Sequence, residues 1–230
     1  MKAYSLGARH CYRDGEIRIR PFRTATFRRI GKRLPNPSYV CPMDLSKIPT
    51  GVNPPYDVNA VIEIPQGGEP VKYEIDKESG AIFVDRFLHT AMFYPGNYGF
   101  IPHTLAEDGD PMDVMVVGPT PVVPGSIIRC RPIGVLKMRD EKGGDEKILA
   151  VPVDALHPFY TGVDSWRHLP SILTEQIAHF FQHYKDLEKG KETIIDGWGD
   201  PEEAGQLIRD AIERARVAEE SPRRLTSPAS

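Results

Sequence analysis

Apolar and polar residues alternate along the first half of the chain, and this pattern predicts a series of short β-strands. Residues 71–75, VKYEI, place Val71, Tyr73 and Ile75 on one face and Lys72 and Glu74 on the other. Similar runs, separated by turns rich in Gly and Pro, predict further strands at 58–64, 81–87, 112–117, 126–138 and 147–153. Short strands with little helix between them indicate an antiparallel barrel.

The hydrophobic period changes after residue 170 and predicts two helices. The segment 171–191 places five apolar or aromatic side chains on one helical face: Leu173, Ile177, Phe180, Phe181 and Tyr184. A second helix is predicted to follow an N-cap at Asp200, with Pro201 at its first position and an apolar stripe of Leu207, Ile208 and Ile212. The predicted fold class is therefore α+β, mainly β, with helices flanking the barrel.

Charge divides the chain into a basic arm and an acidic body. Residues 1–42 carry ten Lys/Arg and two Asp/Glu, whereas the rest carries 19 Lys/Arg and 30 Asp/Glu. Such an arm could contact nucleic acid or an anionic surface, or act as a transit peptide. We favour a mobile extension, because the segment lacks a periodic apolar face. We expect an extension at 1–42, a folded domain at 43–218 and a disordered tail at 219–230.

Cysteine usage and hydropathy bear on location. The three cysteines, Cys11, Cys41 and Cys130, have unrelated spacings, so they predict neither a disulfide framework nor a zinc site. No apolar run has the length of a membrane span, and no secretory signal is visible. We therefore expect a cytoplasmic protein.

The stretch DGDPMDVMVV places three carboxylates within six residues, at Asp108, Asp110 and Asp113. Two such charges 4 Å apart cost about 4 kcal/mol at an effective dielectric constant of 20. A hard divalent cation such as Mg²⁺ would relieve this repulsion. An EF-hand calcium loop is excluded, because its sixth position is Asp113 instead of Gly and its twelfth is Pro119 instead of Glu. The triplet alone fits a solvated acidic turn equally well.

Other polar residues favour the metal interpretation. A second acidic cluster, Asp140, Glu141 and Asp145, lies in the loop before the last predicted strand, and Glu63 and Glu74 lie on strands. Cations and phenols occur near these acids in sequence: Lys72, Arg86, Tyr94, Tyr98, Lys147, Tyr184 and Lys185. Metal-binding acids, cations that pair with phosphate and phenol donors together suit metal-assisted phosphoryl transfer.

The segment from VIEIPQGG to PMDVMVV, residues 61–117, resembles the soluble family I inorganic pyrophosphatases. DGDPMDV matches the family signature, and the resemblance continues through GVLKMRDEKGGDEKILAVP and AHFFQHYKDLEKGK, over roughly residues 45–215. It implies hydrolysis of pyrophosphate to two orthophosphates by a metal-activated hydroxide, with several Mg²⁺ ions. It also implies a five-stranded OB-type barrel and a homohexamer. In such a barrel the predicted sixth strand, 147–153, would lie outside.

The resemblance also implies a role for each polar residue. Asp110 would accept a proton from a water shared by two metals, and Asp113 would bridge the same two metals. The implied metal ligands are Asp108, Asp113, Asp140, Asp145 and, through water, Glu74. The implied substrate-binding residues are Lys72, Arg86, Tyr98, Lys147, Tyr184 and Lys185, and the remaining active-site polar residues are Glu63, Tyr94 and Glu141.

Two further features suggest other interpretations. An OB-type barrel with a basic arm also fits an oligonucleotide-binding module. The acidic body argues against it, so we expect neither a nucleic-acid partner nor a membrane. His179 and His183 have the i, i+4 spacing of metal ligands, but no Glu follows His179 as in zinc proteases. We expect them to pack or to meet a neighbouring subunit.

Overall fold

A computed structural model describes residues 43–220 of the chain, apart from Lys142. The predicted extension at 1–42, and residues 221–230 of the predicted tail, lie outside the described residues. The elements follow in this order: β1 (Val58–Ile64), β2 (Val71–Ile75), β3 (Ile82–Phe87), β4 (Asn97–Phe100), β5 (Asp113–Val116), β6 (Ile127–Asp140), β7 (Gly143–Gly144), β8 (Lys147–Pro152), α1 (Ser171–His183), β9 (Thr193–Gly199) and α2 (Pro201–Glu220).

Five strands close into a barrel in the order β1-β4-β5-β8-β6, and β6 pairs back onto β1. This arrangement confirms the five-stranded OB-type barrel. Four of the pairings are antiparallel, whereas β5 and β8 are parallel, with Val114 opposite Ile148. The parallel pair sets Asp113 and Lys147 at the same edge of the barrel, because each residue begins its strand.

The strands outside the barrel differ from those expected. The predicted strand at 147–153 is barrel strand β8, so the expectation that it lies outside was wrong. Strands β2 and β3 form a separate hairpin, and β7 and β9 pair with β6. The sequence analysis predicted no strand at β4 or β9. A side chain on Gly99 of β4 would meet the Val61 carbonyl oxygen at 1.9 Å, so glycine permits this close pairing.

Both predicted helices are present and pack on different sides of the core. Helix α1 buries Ile177, Phe180 and Phe181, but it ends at His183, and residues beyond it form turns. Helix α2 buries Ala204, Ile208 and Ala211. Its N-cap is Asp200 as predicted, because Oδ1 accepts a hydrogen bond from the Glu203 N–H at 3.0 Å. The helix extends to Glu220, two residues past the predicted domain end.

Neither helix of the described residues is long and apolar enough to span a membrane. Cys130 is a free, buried thiol on β6, and burial raises its pKa. Cys11 and Cys41 lie outside the described residues.

Candidate active site

A charged cavity opens at the edge of the barrel where β5 and β8 begin. Every predicted site residue except Tyr94 lines it: Glu63, Lys72, Glu74, Arg86, Tyr98, Asp108, Asp110, Asp113, Asp140, Glu141, Asp145, Lys147, Tyr184 and Lys185. Five further residues complete the lining: Ile75, Lys77, Phe100, Pro111 and Lys191. Residues from both the barrel and the outer hairpin therefore meet in one place.

The acidic turn before β5 is held by hydrogen bonds within the turn. Gly109 has a φ of 90°, which favours glycine, and the Asp110 N–H donates to Asp108 Oδ1 at 3.0 Å. The Ala106 N–H donates to the Asp110 carbonyl at 2.7 Å. The turn directs Asp108 and Asp110 to the mouth of the cavity, where the Asp110 side chain is 69% exposed.

Lys147 lines the cavity and is almost fully buried. Its ammonium group donates to Asp113 Oδ2 at 2.5 Å and also contacts Asp145. Burial alone would lower the pKa of Lys147, but the charges of Asp113 and Asp145 raise it. The ammonium group therefore stays protonated at neutral pH and offsets two carboxylates.

The second acidic cluster lies at the end of β6 and in the turn to β8. Asp140 accepts a bond from Lys185 Nζ at 2.8 Å, and both side chains are at least nine-tenths buried. The Asp145 N–H donates to the Met138 carbonyl at 2.9 Å, which fixes the turn. Glu141 lies 3.9 Å from Lys191 Nζ. Residues after α1 thereby contact acids at the end of β6 and in the turn that follows it.

The β2–β3 hairpin supplies one wall. Lys72 pairs with Glu74 and, at 3.2 Å, with Asp85. Burial lowers the pKa of Lys72, but these ion pairs raise it overall. Arg86 Nη1 donates to Asp85 Oδ2 at 3.0 Å. The hairpin therefore brings two cations into the cavity, each already held by a carboxylate.

Glu63 on β1 is a largely buried carboxyl group whose surroundings shift its pKa. Burial raises its pKa to about 7, although the Ile75 N–H donates to its Oε1 at 2.8 Å and opposes the shift. The charge of Asp113 raises the pKa further. Near neutral pH, Glu63 is thus partly protonated in the absence of a metal.

Three buried phenols lie in or behind the cavity. Burial raises the pKa values of Tyr98 and Tyr184, so both keep their hydroxyl protons at neutral pH and can donate hydrogen bonds. Tyr94 is predicted as a site residue but does not line the cavity. Its ring packs 4.7 Å from Phe180 and 5.5 Å from Tyr98, between centroids. Its position supports the wall behind Tyr98.

The donor chemistry of the cavity fits a hard divalent cation. The lining contains eight Asp and Glu carboxylates and no imidazole or thiol, and hard cations prefer such oxygen ligands. In the part of the chain that the structure describes, no three His, Cys, Asp or Glu side chains are already arranged to hold a metal ion. Ammonium groups of Lys147 and Lys185 lie against these acids instead and compensate the same charge that a divalent ion would compensate.

His179 and His183 lie outside this cavity. Their rings pack with centroids 4.5 Å apart, and His183 Nδ1 is 2.8 Å from Asp186 Oδ2. The expectation that they pack or meet a neighbouring subunit stays a prediction. His179 also lines a separate, more apolar groove with Phe93, Ile172 and Phe180.

The fold and the cavity together define a class of protein: an OB-type barrel enzyme whose site combines carboxylates, cations and phenols. The family model for inorganic pyrophosphatase matches residues 60–216. The chain belongs to the family I inorganic pyrophosphatases, which are hydrolases. Nothing in the comparisons favours the nucleic-acid-binding alternative.

Similar proteins include an inorganic pyrophosphatase of Caulobacter vibrioides, 82% identical over 172 residues, which are 75% of this chain and 97% of the relative. One from Rhodospirillum rubrum is 58% identical over 183 residues, covering 80% of this chain and 100% of the relative. Among solved structures, an inorganic pyrophosphatase from Coxiella burnetii has 48% identity and a TM-score of 0.71. The match covers 73% of this chain and 99% of that one. The inorganic pyrophosphatase of Thermus thermophilus has 42% identity and a TM-score of 0.71, and the match covers 76% of this chain and 99% of that one.

Sequence reasoning missed two lysines at the cavity. Lys77, in the turn between β2 and β3, lies 3.9 Å from Asp110 Oδ1. Lys191, after α1, lies between Glu141 and Glu188. A lone lysine in a polar segment has the same pattern as a solvated surface residue, so only the folded structure distinguishes them.

Proposed function

We propose that this chain hydrolyses inorganic pyrophosphate to two orthophosphates in the cavity at the barrel edge, with Mg²⁺ as its cation. The main observation in support is that fourteen of the fifteen residues predicted for that reaction line this cavity. Pyrophosphate is a small, multiply charged anion, so a site for it needs many cations and donors and few apolar contacts. The lining has this character.

The chemistry of the lining supports a division of labour. Asp108, Asp113, Asp140, Asp145 and, through water, Glu74 would hold Mg²⁺, because hard cations prefer carboxylate oxygens. Bound divalent ions would lower the pKa of water and neutralise charge on phosphate oxygens.

Asp110 would take the proton of the attacking water. Its side chain is 69% exposed at the cavity mouth, and its backbone N–H donates to Asp108 Oδ1. The new bond joins the water oxygen to one phosphorus, and the bond from that phosphorus to the bridging oxygen breaks. The electron pair leaves with the second phosphate, so no covalent enzyme intermediate or co-reactant is needed.

Substrate binding would fall to the cations and phenols: Lys72, Arg86, Tyr98, Lys147, Tyr184 and Lys185. Their charges match those of the phosphate groups, and the buried phenols keep protons to donate. Glu63 and Glu141 would act as supporting polar groups, and Tyr94 would hold Tyr98 from behind.

Phosphate release from pyrophosphate tests the proposal. We expect release with Mg²⁺, loss of release after exhaustive chelation verified by metal analysis, and recovery when Mg²⁺ is added back. Full activity in the verified metal-free protein would contradict the metal role. Binding of Mg²⁺ measured by calorimetry without substrate provides a second readout.

We also propose a cytoplasmic homohexamer, on the basis of the family resemblance. The exposed apolar residues of the groove beside α1, such as Phe93 at 58% and Ile172 at 60% exposure, support burial between subunits. Sedimentation equilibrium should give six times the chain mass. A monomer at micromolar concentration would contradict the assembly.

A further inference from the structure

The β2–β3 hairpin carries several cavity residues but forms no part of the barrel sheet. Lys72 and Glu74 lie on β2, and Arg86 lies on β3. A two-stranded hairpin is marginally stable on its own in water. The positions of these side chains must therefore be set by contacts between the hairpin and the rest of the domain.

Polar contacts from both strands tie the hairpin to the domain. The Ile75 N–H donates to Glu63 Oε1 at 2.8 Å, which ties β2 to the barrel strand β1. Arg86 Nε lies 3.3 Å from Glu188 Oε2 and donates to Oε1 at 3.4 Å, which ties β3 to the segment after α1. That segment also carries Tyr184 and Lys185, so Glu188 joins two walls of the cavity.

Glu188 is a buried charge and not a solvated surface group. Its side chain is only 10% exposed, and Lys191 Nζ lies 3.7 Å from its Oε2. The Glu188 N–H donates to the Lys185 carbonyl at 2.8 Å, and the Lys191 N–H donates to the Glu188 carbonyl at 3.2 Å. These turns place Lys185 and Lys191 in the lining, with Glu188 just behind it. A carboxylate at this depth needs cation partners to offset desolvation.

The geometry points to Glu188 as a positioning residue that fixes the guanidinium group of Arg86 in the cavity wall and thereby sets the affinity for pyrophosphate. This inference rests on the substrate-binding role proposed for Arg86. Asp85 holds Nη1 from the neighbouring position, and Glu188 holds Nε from the segment after α1. An arginine held at two nitrogens loses little further freedom when substrate binds, so binding is tighter.

The first test is Glu188→Gln, which keeps the shape of the side chain and removes its charge. We expect KM for pyrophosphate to rise about three- to tenfold, with kcat within about twofold of the wild type. The dissociation constant for methylenediphosphonate, a non-hydrolysable analogue, should rise by the same factor in calorimetry. Glu188→Asp keeps the charge on a shorter side chain and should give a smaller rise. It also carries the test if the Gln variant does not fold.

Glu213→Gln is the matched control. Glu213 pairs with Arg216 at 2.6 Å on the exposed face of α2, away from the cavity lining. Its removal should leave KM and the analogue's dissociation constant unchanged. Wild-type values of both constants in the Glu188 variants would overturn the inference, even if the melting temperature falls.

A double-mutant cycle with Arg86→Gln separates positioning from general stabilisation. Arg86→Gln alone should weaken analogue binding, and adding Glu188→Gln should weaken it by less than about twofold more, because the group being positioned is gone. If Glu188→Gln raises the analogue's dissociation constant by the same factor with Arg86 and with Gln at that position, the positioning role of Glu188 is overturned and the role of Arg86 is not affected. Unchanged analogue affinity in Arg86→Gln would instead contradict the substrate-binding role of Arg86, and the inference with it.

Discussion

Asp110 and Asp113 are three residues apart, yet their surroundings differ enough to predict different roles. Asp110 is exposed at the cavity mouth, whereas Asp113 is bonded to the buried Lys147. Asp110→Asn keeps the shape but removes the proton acceptor, so kcat should fall by roughly 10²–10⁴. Asp113→Asn removes a proposed metal ligand, so its main effect should be weaker Mg²⁺ binding. Steady-state kinetics at saturating Mg²⁺ and Mg²⁺ calorimetry measure the two effects.

The comparison between these variants decides the assignment. If both variants lose Mg²⁺ affinity equally while Asp110→Asn keeps its rate, the proposed roles are wrong. Lys77→Gln is a useful companion, because it removes the cation 3.9 Å from Asp110 without altering either carboxylate.

Glu63 predicts a pH-dependent stability for the metal-free protein. Its folded pKa is about 7 and its unfolded value is 4.5, so the folded state holds a proton that the unfolded state has lost between these values. The contribution of Glu63 to the free energy of unfolding is fully present below pH 4.5 and is lost as the pH rises through 7. The fall amounts to roughly 3 kcal/mol at most. Glu63→Gln keeps an acceptor for the Ile75 N–H and should flatten this fall.

Urea unfolding between pH 5 and 7.5 in a chelating buffer measures the Glu63 effect. The exposed Glu78 of the hairpin turn provides the control, because Glu78→Gln removes a carboxylate that is not buried. A pH profile of unfolding free energy that is unchanged by Glu63→Gln would contradict the proposed protonation.

At the scale of elements, helix α2 is held at its start by a side chain and contributes no residue to the cavity. Asp200→Ala removes the N-cap acceptor and should lower the free energy of unfolding by about 0.5–2 kcal/mol. The rate of hydrolysis per folded molecule should stay unchanged. Asp200→Ser retains a capping oxygen, so an equal loss in this variant would show that the cap is not the cause.

The elements found from sequence are those with a strong local pattern. The bounds of β1 and β2 agree with the predicted 58–64 and 71–75, because their apolar residues alternate or cluster clearly. Strand β4 has four residues and contains Gly99, and β9 contains Gly197 and Gly199, so their local composition indicates turns. Pairing with β1 and β6 makes them strands, and that information is not local.

At the scale of the whole molecule, the sequence predicted most of the polar residues that line the cavity, but not their mutual contacts. The family signature predicts Asp108, Asp110 and Asp113 directly. The pairing of β5 with β8, which sets Asp113 beside Lys147, joins segments 34 residues apart. The contact of Arg86 with Glu188 spans 102 residues, and no sequence pattern indicates it.

Removal of residues 1–42 tests the predicted domain organisation. The family match begins at residue 60, and the Caulobacter relative is covered almost completely by three quarters of this chain. A chain starting at Met43 should therefore keep the wild-type rate with pyrophosphate and the same assembly state. Phosphate release and light scattering measure these properties. Dissociation of the shortened protein, or loss of most of its activity, would show that the basic arm is a structural element.

Strand β6 pairs with β1, β7, β8 and β9, so its backbone amides lie where most of the sheet meets. Their hydrogens should exchange with deuterium only when the barrel opens as a whole. The β2–β3 hairpin pairs only with itself, so its amides should exchange through smaller and more frequent openings. Lys72 and Arg86 therefore sit on a part of the protein that can open while the barrel stays closed, and bound pyrophosphate should slow exchange there first.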